Sequence, residues 1–324
     1  MERNRTQLRG AALLMLTALI WGTAFVAQSV GMDHLGPCAF TAVRNYIGCV
    51  ALLPVIAFAS RLRKGKPEDD GEQVPPAKAR KRLALWGAAC GLLLGSATLL
   101  QQAGMQTASP GKAGFLTALY IVIVPVLGVF LGRRPGLKVW AGVVLALVGA
   151  YLLSVKGGEG IATGDLLVIA SAVVFSLHIL VVDFVPAGVD GVKLSCVQFL
   201  VAGLLATVLA LLFESFTFSD ILAAWVPLLY TGIISSGVGY TLQILGQRTV
   251  NPTVASLILS LESVFAVLAG WVLLGQPLSP RELVGCALVF AAVVLAQLPQ
   301  KKPKVQSEMT LPAGLFPAPG VRWG

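Results

Sequence analysis

Ten apolar stretches, each near the ~20 residues that a helix needs to cross a ~30 Å hydrocarbon core, divide this chain. They run over residues 11–31, 37–60, 83–107, 111–131, 137–155, 164–185, 192–213, 225–246, 252–274 and 281–298, separated by clusters of charge, Pro and Gly. A 324-residue chain that is 56% hydrophobic, only 12% charged and has a mean hydropathy of +0.83 does not have water as its main solvent. Stretches such as AALLMLTALIWGTAFVAQSV lack the alternation of a membrane β-strand. The expected fold class is therefore an all-α membrane protein with ten transmembrane helices. The first stretch follows Arg3, Arg5 and Arg9 as a signal peptide would, but its apolar run is long and nine similar ones follow, so it reads as a retained span.

The formal charge of +9 raises the question of nucleic acid, which the placement of the basic residues answers. With the N-terminus inside, 20 of the 24 Lys and Arg fall in inside segments. Only Lys112, Lys156 and Arg281 lie outside, and Arg44 lies within a span. That asymmetry is the positive-inside pattern and predicts both termini in the cytoplasm, in a cell (cytoplasmic) membrane. The five cysteines, Cys38, Cys49, Cys90, Cys196 and Cys286, sit within spans without a CxxC pair or zinc-site spacing, and read as small packing residues.

Residues 61–82, containing KGKPEDDGEQVPPAKARKR, and the tail 299–324 break the apolar pattern and read as disordered cytoplasmic segments. The organisation predicted is a cytoplasmic N-terminus over 1–10, a first five-helix repeat over 11–155 carrying the 61–82 linker, a second over 164–298, and the tail. The repeat is legible in the residues. TASPGKAGFLTALYIVIVPVLGVFLGRRPGLKVWAGVVLALVGAYLL, from Thr107, lines up with TVNPTVASLILSLESVFAVLAGWVLLGQPLSPRELVGCALVFAAVVLA, from Thr249. Pro110 meets Pro252 and Gly128 meets Gly270; after a one-residue slip Gly132 meets Gly275 and Gly142 meets Gly285. Residues 13–26 align with 167–180, which sets Arg44 against Gln198. Because each copy carries five spans, an odd number, the second enters the membrane from the opposite side, giving inverted repeats suited to alternating access.

The paired LGRRPGLKVWAGVVLALVGAYLL and LGQPLSPRELVGCALVFAAVVLA, the LSLESVFAVLAGWVLLG before the latter and the early LTALIWGTAFV together resemble the EamA domains of the drug/metabolite transporter superfamily. The resemblance spans residues 11 to about 298. It implies a ten-span fold in which helices one to four and six to nine surround a central cavity, with the fifth and tenth peripheral. It does not imply a substrate. Where an acidic residue often follows LLG in the second repeat, this chain has Gln276.

Ionisable side chains inside spans cost ~2.5–3.5 kcal/mol on insertion scales, so each marks a candidate site. Glu262 lies ten residues into the ninth span, about 15 Å along its helix and close to the midplane. A carboxylate there can load and release a proton or hydrogen-bond a neighbouring helix. Arg44, seven residues past Pro37, is too deep to snorkel; it either attracts an anionic substrate group or pairs with Glu262 as a structural lock. His178 suits a proton relay or a neutral interhelical hydrogen bond. Asp183 and Glu214, near span ends, are expected to reach interfacial water. Tyr120, the repeat counterpart of Glu262, together with Trp21, Tyr46, Gln102, Gln106, Gln198, Tyr240 and Gln243, offers aromatic and amide contacts to a cavity or to helix packing. Pro125 is expected to interrupt the fourth span. Gly87, Gly91 and Gly95 on the third span, and Gly142, Ala146 and Ala150 on the fifth, form small-residue ridges for close helix contact.

An enzyme embedded in the membrane needs a nucleophile or metal constellation, and GxSxG, HExxH and paired aspartates within spans are missing. A channel or a non-transporting receptor is the other rival, set against the internal inversion around one cavity. The function expected is secondary transport, with export favoured, of a small amphipathic metabolite. The expected partners are that substrate, the bilayer, a coupling proton and, as an assembly, a homodimer; no cofactor, metal or nucleic acid is expected.

Overall fold

The structure is a computed structural model that describes residues 2–63, 75–154, 162–275 and 277–297. Residues 64–74 of the 61–82 linker, Lys156, Gln276 and the 299–324 tail, on which expectations were placed above, lie outside the described residues. In chain order the main helices are α1 (Glu2–Gly31), α2 (Pro37–Arg63), α3 (Pro76–Gly104), α4 (Pro110–Phe130), α5 (Leu137–Ser154), α6 (Thr163–Phe184), α7 (Gly191–Phe213), α8 (Trp225–Gln247), α9 (Pro252–Leu274) and α10 (Pro280–Gln297). Among the described residues, eight of them are long and apolar enough to cross a membrane. The other two, α5 and α10, are 18 residues each, ~27 Å of helix, and pack against one another. Large apolar side chains such as Leu137, Phe213, Leu211 and Val272 are exposed on the outside of the bundle, a surface that hydrocarbon tolerates and water does not.

The helices outrun the apolar stretches where hydropathy gives no signal. α1 and α3 start ahead of their apolar runs, in the basic stretches ERNRTQLR and PAKARKR, because Gln, Lys and Arg are good helix formers outside the hydrocarbon as well as within it. A short helix before α8, Phe218–Ala223, was not anticipated. Its start is a capping box, with Thr217 Oγ1 and Asp220 Oδ2 at 2.8 Å and the Thr217 N–H donating to the same carboxylate at 2.7 Å.

Three expectations are corrected. Pro125 lies inside a helical segment, and α4 is interrupted at Leu119 instead; α9 is interrupted at Ser260, within one residue of the corresponding place after Pro252. Glu214 does not simply face water: its two carboxylate oxygens accept the N–H groups of Cys38 and Ala39 at 2.8 Å each, capping α2. Asp183 forms an ion pair with Arg133, with both side chains only about a fifth to a quarter exposed.

Packing is the same whichever half is taken first. α1 packs on α9 as α6 does on α4, α3 on α6 as α8 on α1, and α3 on α7 as α8 on α2, while α2 meets α7 and α5 meets α10. Gly132 and Gly275, matched in sequence, are the two residues of positive φ among those described (76° and 63°), each ending a helix in the left-handed conformation that glycine adopts without cost. The ridge of Gly87, Gly91 and Gly95 lies against α7, and Gly142, Ala146 and Ala150 are buried, with Gly142 lying against α10.

Candidate substrate cavity

The centre of the bundle holds polar groups that a lipid-soluble core has no use for. α1 brings Trp21 and Gln28, α2 Arg44, α3 Gln101, α4 Thr117 and Tyr120, α8 Ser235, Tyr240 and Gln243, and α9 Glu262 to one cavity, with Phe25, Phe175 and Ile179 as apolar walls. The cavity volume is about 30 Å³, room for a water or two and too little for a metabolite, so substrate entry requires the helices to separate.

Tyr120 donates its phenolic hydrogen to Glu262 Oε1 at 2.8 Å, and both residues are 2% exposed. They stand ten residues after Pro110 and Pro252 respectively, the same place in the two matched stretches. Both sit just beyond the interruptions of their helices at Leu119 and Ser260. Arg44, 4% exposed, donates through Nη1 to Gln28 Oε1 at 2.7 Å, and its Nε is buried without a partner. Among the described residues no ion pair joins Arg44 to Glu262, so the structural lock is not formed in this conformation. The guanidinium charge therefore has a neutral amide for a neighbour, an arrangement that leaves it available to an anion.

The aromatic wall is built by α1 and α8. Trp21 and Tyr240 stack at 4.5 Å between ring centroids, and the Trp21 indole N–H donates to the Ser235 carbonyl at 3.3 Å. That carbonyl belongs to an 11-residue π-helical segment, Tyr230–Tyr240, a rare wide turn that recurs at functional sites. Gly239 lets it approach α1 closely: a Cβ there would lie 2.7 Å from Trp21 Nε1.

Of the eleven candidates drawn from the sequence, Glu262, Arg44, Tyr120, Trp21, Tyr240 and Gln243 line this cavity. The other five do not. His178 lies behind Tyr240, edge-on to its ring at 6.1 Å, with Nε2 3.2 Å from Gln198 Oε1. Gln198 thus turns its Oε1 to His178 between helices, while Gln198 Nε2 and His178 Nδ1 are buried without partners. Tyr46 bonds Thr207 at 2.8 Å between α2 and α7. Gln102 reaches the Gln28 carbonyl at 3.3 Å, and Gln106 is exposed beyond the end of α3. Reading the sequence passed over Gln28 and Gln101. Gln101, bonded to Thr117 Oγ1 at 2.9 Å, precedes Gln243 by 142 residues, the spacing that also separates Pro110 from Pro252, so extending the repeat alignment backwards would have found it.

A bundle of apolar helices, eight of them of membrane length among the described residues, closed around a charged and aromatic cavity, is the build of a multi-pass membrane protein, and the family match makes it one of the transporter class. The chain belongs to the EamA-like transporter family, whose model matches residues 8–155 and again 162–298. It is 28% identical over 290 residues to an uncharacterized transporter of Archaeoglobus fulgidus, covering 88% of this chain and 84% of that one. To a probable terminal-alkyne amino-acid exporter of Streptantibioticus cattleyicolor it is 29% identical over 287 residues, covering 87% and 91%. A solved crystal structure at 20% identity superposes with a TM-score of 0.69 over 89% of this chain and 96% of the other, a likeness of fold.

Proposed function

We propose that this chain is a proton-coupled secondary exporter of a small amphipathic metabolite bearing a carboxylate, with an α-amino acid of apolar side chain as the first substrate class to test. The chain crosses the cytoplasmic membrane ten times as two inverted five-helix repeats, over 11–155 and 164–298, with both termini in the cytoplasm. The observation that carries this reading is the cavity itself: a buried Arg44 without an acidic partner and a buried Glu262, among amides and stacked rings. Arg44 receives the carboxylate, Glu262 receives the ammonium group or a proton, and Trp21, Tyr240 and Phe175 receive the apolar part. The exporter from Streptantibioticus cattleyicolor supports both the direction and the substrate class. Repeat-equivalent residues that touch, as Tyr120 and Glu262 do, lie at the pseudo-two-fold axis of such a carrier, where the site belongs.

Purified protein in liposomes tests the reading directly. Uptake of an apolar amino acid is expected to saturate and to be accelerated by the same compound on the opposite side. Flux that rises without saturation indicates a channel, and none across a broad panel of amphipathic acids overturns the carrier reading.

Arg44→Gln is expected to raise the apparent KM for carboxylate substrates about tenfold or more, the ~1.5–3 kcal/mol of a charge-assisted hydrogen bond. Its readout is competition between a carboxylate and the matching amide. An unaltered preference for the carboxylate removes Arg44 from substrate recognition.

A further inference from the structure

Much of the cavity wall comes in pairs. Trp21 and Phe175, like Phe25 and Ile179, stand 154 positions apart, the spacing of the aligned stretches 13–26 and 167–180. Gln101 and Gln243, like Tyr120 and Glu262, stand 142 apart, the spacing of Pro110 and Pro252. Counterpart residues of the two repeats thus meet at one place, as inverted copies do around a shared axis. Other lining residues break the pairing. Among them are Ala24, Arg44 and Tyr240, which line the cavity while their counterparts by the same spacings, His178, Gln198 and Thr98, do not.

Two of the excluded counterparts lie together. His178 and Gln198 are fully buried and meet Nε2 to Oε1 at 3.2 Å, with Tyr240 standing between His178 and the cavity. Each keeps a buried nitrogen without a partner, His178 Nδ1 and Gln198 Nε2. Leaving a buried polar atom unpaired costs free energy, so a rearrangement that brings water or a polar solute to the pair stabilises it. The rearrangement required of α6 is small. His178 follows Phe175 by three residues and precedes Ile179 by one, and both of those already face the cavity, so His178 sits beside the face that α6 presents.

We infer that His178 and Gln198 enter the cavity wall in the conformation of opposite access, in the places that Ala24 and Arg44 hold now, while Tyr240 withdraws as Thr98 is withdrawn now; the inference rests on the carrier reading above. In a carrier of inverted repeats each copy takes up the conformation of the other when access changes sides, so the present position of a residue is the next position of its counterpart. The polar head of the substrate then meets a guanidinium in one state and an amide beside an imidazole in the other. A carboxylate exchanges the charge-assisted bonds of Arg44 for the weaker ones of the Gln198 amide, and is held more tightly in the present state.

The test uses the full chain with its five cysteines replaced and one reporter at a time, Ala24→Cys or its counterpart His178→Cys. A membrane-impermeant maleimide is applied to either face, in intact cells and in inverted vesicles. Each reporter is expected to react about tenfold or more faster from one face than from the other, and the two are expected to prefer opposite faces. Gln198→Cys is expected to follow His178→Cys, and carries the test should His178→Cys fail to fold. If Ala24→Cys is labelled while His178→Cys and Gln198→Cys stay unlabelled from both faces, the pair is a fixed packing contact and the inference is overturned. Labelling of His178→Cys from the same face as Ala24→Cys overturns it too, as does an Ala24→Cys that is never labelled. No substrate is needed, so such a result with saturable counterflow intact falls on the exchange of these residues alone, whereas a failed flux assay falls on the carrier reading.

Discussion

Glu262→Gln is expected to abolish transport driven by a pH gradient while leaving counterflow of substrate at equal pH in place. The amide keeps the oxygen that accepts from Tyr120 at 2.8 Å and keeps the shape of the side chain, so the packing around it survives. What it loses is the capacity to hold or release a proton. Glu262 is 2% exposed at the centre of the cavity, where an uncompensated charge is costly, so its protonation is coupled to whether a cation, a substrate or water stands beside it. Tyr120→Phe is the informative contrast. It removes the donor but leaves the ionisable group, so coupling is retained and flux changes by only a few-fold, about 1 kcal/mol. Proteoliposomes loaded with substrate and subjected to an imposed pH gradient separate the two variants. Gradient-driven flux that survives Glu262→Gln places the coupling on another group or removes it altogether.

How far the sequence reached is clearest at neighbouring residues. Hydropathy found the long helices because a ~20-residue apolar run in a chain of this composition has few other destinations. The cost of a charge in hydrocarbon singled out Arg44 and Glu262, and both line the cavity. Uncharged polar residues carry no such signal. Gln101 and Gln102 are chemically identical, yet one position is a 100° turn about the helix axis: Gln101 lines the cavity while Gln102 bonds the backbone of α1. His178 and Gln198 meet each other between helices through a single contact, an outcome that spacing along the chain does not reveal. The π-helical segment Tyr230–Tyr240 was equally hidden, since its wide turn depends on how α8 fits against α1 and α2. The repeat restricts rotation as well as position: it paired Tyr120 with Glu262, and carried further back it pairs Gln101 with Gln243, although its pairing of Arg44 with Gln198 led to a residue outside the cavity.

Gly91→Leu is expected to prevent stable assembly of the bundle, whereas the same change at an outward-facing position of α3, such as Ala84, is expected to be tolerated. A Cβ at Gly91 would already lie 2.7 Å from the Gln198 carbonyl and 2.7 Å from Val201 Cβ. The carbonyl belongs to the backbone of α7, so no rotamer change relieves the contact and the two helices must move apart. Overpacking a well-filled core costs about 1–3 kcal/mol, and four added carbons against a rigid neighbour fall at or above the upper end. The separation does not stay local. α3 also packs on α6, and Gln198 holds His178 behind Tyr240, so a shift at Gly91 reaches the aromatic wall of the cavity through one hydrogen bond and one ring contact. Thermal unfolding of the detergent-solubilised protein, followed by size-exclusion chromatography, measures the effect. A melting temperature equal to that of the parent protein shows that α3 and α7 separate at little cost, and a carrier whose α3 slides freely on α7 then replaces one whose halves move as rigid packed units.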